Sequence, residues 1–163
     1  MSWSASKIFS AYVTDILNNT TAMDIYSDAL IEVALYNDSI TPNPLVTSAL
    51  SAYAAGVWTG GSSPNIQDTT SGNAGWPFLG RPLVAKTLSD YSTATIKFDA
   101  DDTVSADAHT TLVAAFGCLV YDHSAGAVTD QGVSYHYFGG TQSVTEGTFT
   151  VVWNASGIFA ITL

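Results

Sequence analysis

Basic side chains are nearly missing from this sequence: Lys7, Arg81, Lys86 and Lys97 are the only four in 163 residues, against fourteen carboxylates, for a formal net charge of −10. Affinity for a phosphate backbone comes largely from Lys and Arg displacing counterions, so no nucleic-acid partner is expected. Cysteine is scarcer still. Cys118 stands alone, which excludes an intrachain disulfide, and its neighbours Phe116, Gly117, Leu119 and Val120 mark it as a small buried hydrophobe. No apolar run approaches the roughly 18 residues of a membrane-spanning helix, and the N-terminus lacks the basic-then-apolar order of a secretion signal. The expectation is a chain made in a cytoplasm, with no membrane partner.

Catalytic signatures are missing as well. His109, His123 and His136 form no His-x-x-x-His pair, and one cysteine cannot complete a zinc site with them. There is no Gly-x-Ser-x-Gly elbow and no glycine-rich phosphate loop ending in Lys-Ser/Thr. The expectation is no enzyme, no cofactor and no metal. His136, flanked by Tyr135, Tyr137 and Phe138, reads as a structural histidine. A hydrolase assembled from distant residues, His109 or His136 with an aspartate, is the weakest reading kept, because triads are defined by geometry and not by order. Asp99, Asp101 and Asp102, with Asp107 nearby, offer hard oxygen ligands for calcium but lack the glycine and terminal glutamate of an EF-hand loop. An acidic turn is the better reading, since aspartate readily hydrogen-bonds its own backbone.

What the chain does have is core material. Apolar residues make up 47%, and four Trp, eight Tyr and seven Phe are spread along the whole length. One β-rich domain over 1–163 is expected, large enough to bury a core without crosslinks. Charged residues are only 11%, so the surface must be built mainly from Ser, Thr, Asn, Ala and Gly.

Ile8, Phe9, Tyr12, Val13, Ile16 and Leu17 recur at three- and four-residue spacing, which predicts an amphipathic helix over 4–18 packed on a sheet. From Leu30 to Tyr36 the period becomes two, which predicts a half-buried strand. Asn37 to Pro44 is turn chemistry, and 45–55 predicts a short helical piece ending at Gly56. Residues 59–77 form a long Gly, Ser, Thr and Asn rich loop with Trp58 and Trp76 near its ends. Such a loop is either a partner-binding arm or an ordered surface loop clamped by two tryptophans. Strands are predicted at 83–88, 95–98, 111–121, 132–138, 148–153 and 158–163, the last two joined as a hairpin through Asn154-Ala155-Ser156-Gly157. Repeated short strands with polar turns predict an antiparallel β-sandwich or barrel with the N-terminal helix against one side.

Five stretches carry a resemblance: Asp28 to Tyr36, Phe98 to Thr103, Gly117-Cys118-Leu119-Val120-Tyr121-Asp122, Gln131 to Gly140 with its Tyr-Phe-Gly-Gly, and Thr148 to Leu163. Together they resemble small virion structural proteins of long-tailed bacteriophages, in particular those infecting actinobacteria. The resemblance implies a virion location and no catalytic residue. Capsid decoration, as a homo-oligomer bound to the major capsid protein or other virion subunits, is the role inferred from it. The alternative is a tail-associated structural or host-recognition module that binds host carbohydrate or protein through Trp58, Trp76 and the loop between them, with Trp3 a further candidate partner-binding residue.

Overall fold

The strand expected near residue 30 is found as β2, Ile31–Tyr36, and it lies at the centre of the molecule rather than on a half-buried face. Five of its six residues are buried and Glu32 is half-buried, the near-continuous apolar run of a strand covered on both sides. The computed structural model describes residues 3–18, 24–27, 30–70, 74–91, 94–124 and 128–162. Within them the chain is mostly β, and every strand pairing is antiparallel.

β2 pairs along its whole length with β8, Thr110–Asp122, from Ile31 opposite Asp122 to Tyr36 opposite Gly117. β8 pairs in turn with β9, Gln131–Gly147, through a ladder with four register irregularities. Around this trio sit three short strands: β1 (Lys7–Ile8) on β9, and β3 (Asn65–Ile66) and β4 (Arg81–Pro82) on β2, which completes a six-stranded sheet. A second sheet is formed by β5 (Thr87–Tyr91), β6 (Thr95–Asp99) and β11 (Phe159–Thr162). β7 (Thr103–Val104) pairs only with β10 (Thr150–Val151). Among the described residues the large sheet ends at β1 and β3 without closing, a sandwich-like arrangement.

Three local expectations are corrected. The N-terminal helix α1 covers only Ser10–Asn18; before it the chain is extended, with Lys7 and Ile8 paired to Tyr135 and Ser134. An extended segment advances about 3.3 Å per residue against 1.5 Å in a helix, and this reach is what brings Trp3 to the Tyr135 ring (5.9 Å between centroids). The expected stripe is accordingly broken: Phe9 and Tyr12 are buried, whereas Ile16 and Leu17 are exposed, Leu17 by 79%. The piece expected at 45–55 is a single turn, α2, Ser48–Ser51. Most of the strand expected at 83–88 is not strand: residues 83–86 connect β4 to β5, which begins at Thr87, and Ala85 stands in the left-handed region (φ 50) as the chain passes from one sheet to the next.

At the C-terminus the turn is where the sequence placed it: Asn154 Oδ1 accepts the Ser156 N–H (2.8 Å) and Asn154 O accepts the Gly157 N–H (2.7 Å). The flanking strands do not pair with each other. β10 joins β7 and β11 joins β6, because Ile158 N–H donates to Phe98 O (2.9 Å) and draws the chain onto the second sheet.

One hydrophobic cluster runs from Trp3 to Ile158. Residues paired across strands share a face, so Tyr36, Ala34, Gly117, Leu119, Tyr135 and Tyr137 look one way and Leu35, Val33, Cys118, Val120, His136 and Ser134 the other.

Candidate functional site

The three tryptophans expected to meet a partner are core residues. Trp3, Trp58 and Trp76 are 4%, 1% and 0% exposed. Trp58 lies edge-on to Trp3 (5.5 Å), Phe9 (6.0 Å) and Tyr36 (5.1 Å) and accepts the Tyr36 O–H on its carbonyl (3.0 Å). Trp3 Nε1–H donates to Asn37 O (3.1 Å) and Trp76 Nε1–H to Val33 O (3.1 Å). Their faces and their polar edges are both committed inside the fold, so the partner-binding reading of these residues is corrected.

The loop between Trp58 and Trp76 is the clamped surface loop, not a free arm, across its described residues. Buried Asn65 donates to Leu35 O (3.0 Å) and Phe78 O (3.2 Å) and accepts from the Tyr53 hydroxyl (3.2 Å) and Gly61 N–H (3.1 Å). Buried Asp68 accepts from Thr70 Oγ1 and N, Thr111 N and Gly75 N, at 2.6 to 3.1 Å. Burial raises the carboxyl, but the hydrogen bonds outweigh it and hold Asp68 below its ordinary value.

A groove of about 550 Å3 opens between β9 and the segment from Phe149 to Ile158. One wall carries His136, Tyr137, Phe138 and Gln142; the other carries Phe149, the β10 residues and Trp153, with Asn154 beyond them. Ser6, before β1, also lines it, and its hydroxyl accepts the Tyr137 N–H (3.1 Å). Trp153 is fixed at both ends of its residue: its N–H donates to Asp102 Oδ1 (2.9 Å) and its Nε1–H to Thr103 Oγ1 (3.2 Å). Its ring stands nearly perpendicular to His136, 5.2 Å away. His136 Nε2 shares a 2.9 Å hydrogen bond with buried Ser134 Oγ, and burial pushes the imidazole down to about 4, so it is neutral at physiological pH. Among the described residues, no Asp, Glu, Lys, Arg or Cys lines this groove.

The other ionisable groups lie elsewhere. His123 Nδ1 meets the Asp130 carboxylate at the end of the β8–β9 hairpin. Glu32 is raised by burial, opposed by the charges of His123 and Arg81, and both Glu32 Oε2 and Arg81 Nε are buried without a hydrogen-bond partner. His109 faces Glu146 at 3.6 Å with both side chains exposed. The histidine–aspartate pairings that a hydrolase at His109 or His136 would need are therefore not formed among the described residues; His123 is the histidine that meets an aspartate. In the acidic turn, Asp99 takes the Lys97 ammonium (2.9 Å) and its own neighbour's N–H (3.0 Å), and Asp102 holds Trp153. No group of three or more His, Cys, Asp or Glu among the described residues is arranged to hold a metal ion. Cys118 is fully buried, and burial pushes its thiol far up, which leaves it unreactive.

Sequence reasoning missed the groove. Its one available signal was the alternation of Phe149, Val151 and Trp153, which places them on one face but does not show that β9 leaves space opposite. Glu32 and Arg81 carried no signal, because their meeting depends on β4 docking against β2. Comparisons with protein-family models, with curated proteins and with solved structures find no match to this chain.

Proposed function

We propose that this chain is a structural component of a bacteriophage virion, a decoration protein that docks as an oligomer on the major capsid subunits. The observation that carries the reading is its surface: thirteen large hydrophobic side chains among the described residues are exposed on a chain with only 11% charged residues. Five of them, Ile16, Leu17, Leu45, Leu50 and Val57, belong to α1 and to the segments around α2. Ser10 N–H to Pro44 O (3.0 Å) and Ser48 Oγ–H to Asp15 Oδ2 (2.6 Å) tie these two regions together. Such a surface costs little to desolvate on docking, since interface cores are depleted in Lys, Glu and Asp. The resemblance of five stretches to phage virion proteins supports the same reading. Those stretches supply β2, the last part of β8, the first part of β9, β10 and β11, which is scaffold and not a reaction centre.

The test is incorporation. Leu17→Lys combined with Leu45→Lys changes two side chains exposed by 79% and 78%, so the variant is expected to fold while its incorporation into assembling particles falls at least tenfold. Unchanged incorporation of a folded variant would remove this surface from the proposal.

A further inference from the structure

We infer that the groove between β9 and the Phe149–Ile158 segment is a binding site for an uncharged, hydroxyl-rich ring compound, a neutral mono- or disaccharide. This goes beyond the virion reading and does not depend on it. The volume, about 550 Å3, lies within the range of small-molecule sites, about 300 to 1,000 Å3. The chain carries ten net negative charges, yet none of the groove's described lining residues is Asp, Glu, Lys or Arg. An ionic ligand would find no countercharge there and would lose solvation without compensation.

The polar groups that do line it are neutral and partly uncommitted. Asn154 uses its Oδ1 on the Ser156 N–H, and its amide NH2 makes no hydrogen bond within the described fold. Gln142 engages only its Nε2, on Gly140 O at 3.4 Å, which leaves Oε1 as an acceptor. Ser6 Oγ accepts the Tyr137 N–H and keeps its own proton to donate. A hydroxyl both gives and accepts, so a polyol can satisfy this mixed set, whereas an apolar side chain from a neighbouring protein would leave these amides buried and unpaired. Trp153, held by Asp102 and Thr103, supplies a pre-set aromatic surface against which the C–H face of a sugar ring can pack. Its fixed position means little is lost in ordering it when the ligand arrives.

The experiment is a calorimetric and tryptophan-fluorescence titration of the full chain with glucose, galactose, mannose, N-acetylglucosamine and their common disaccharides, and with glucuronate as the charged comparison. Saturable binding of at least one neutral sugar is expected, with glucuronate weaker by tenfold or more. Gln142 is exposed, so Gln142→Ala should leave the fold intact and weaken binding about fivefold, the equivalent of one hydrogen bond of about 1 kcal/mol. Trp153→Ala should abolish binding, and if that variant does not fold, Gln142→Ala and Asn154→Ala decide. No saturable binding of any neutral sugar would overturn the proposal. So would tighter binding of glucuronate than of its neutral parent, or neutral-sugar binding that the folded variants leave unchanged.

Discussion

The indole of Trp3 fills the space where a side chain at Gly117 would stand: a Cβ there would lie 2.4 Å from Trp3 Cζ3 and 2.5 Å from His136 O. The central sheet is thus bare at one point so that the N-terminal segment can lie across it. Gly117→Ala should displace Trp3 at a cost of about 2 to 3 kcal/mol, read as a lower denaturation midpoint and a red-shifted tryptophan emission. Thr141→Ala, an exposed position on β9, should leave both unchanged.

That relationship also shows what could be read in advance. β2, β6, β8 and the start of β9 were legible because apolar and β-branched residues alternate there and polar turns bound them. The extended run before α1 was not, because Ile8 and Phe9 fit either period and only the distant Tyr135 and Trp58 decide between them. The tryptophans misled for a related reason. Residue type and loop context suggest a binding surface, while burial depends on which strands cross behind each ring. The groove is the product of β9 and the 149–158 segment, which meet only in the folded chain.

Asp68 secures the loop it sits in. Its folded value is held below the ordinary one, so the stability it contributes is present above the unfolded carboxyl range and is lost as pH falls below about 4 and through the folded value. Asp68→Ala should cost on the order of 3 kcal/mol at neutral pH, because four donors then lose their acceptor. Chemical denaturation at neutral and acid pH checks this: the wild type and the variant should converge as the pH falls.

His136 sets a second acid-side dependence of opposite origin. Its folded value, about 4, lies below the ordinary imidazole value of 6.5, so the unfolded chain takes up a proton that the folded one refuses. Stability should fall as pH drops from about 6.5 to about 4, by at most about 3 kcal/mol. His136→Gln should flatten that window, which thermal melts across it would reveal; a variant with the wild-type slope would place the proton uptake elsewhere.

Glu32 behaves in the other direction. Burial raises its carboxyl, so its ionised form is penalised in the fold and the penalty grows as pH rises through the folded value, with His123 and Arg81 offsetting part of it. Glu32→Gln should raise the melting temperature at mildly alkaline pH and change it little in acid. Equal effects at both ends of the range would show that Arg81 and His123 cancel the effect of burial and contradict a raised carboxyl.

On the proposed function the chain docks in many copies on a phage head, and its copy number and position in the purified particle are the measurement to make. Quantitative mass spectrometry together with electron microscopy of labelled protein should find hundreds of copies distributed over the capsid surface. A few copies confined to the tail or one vertex would contradict decoration, and absence from the particle would contradict the virion assignment itself.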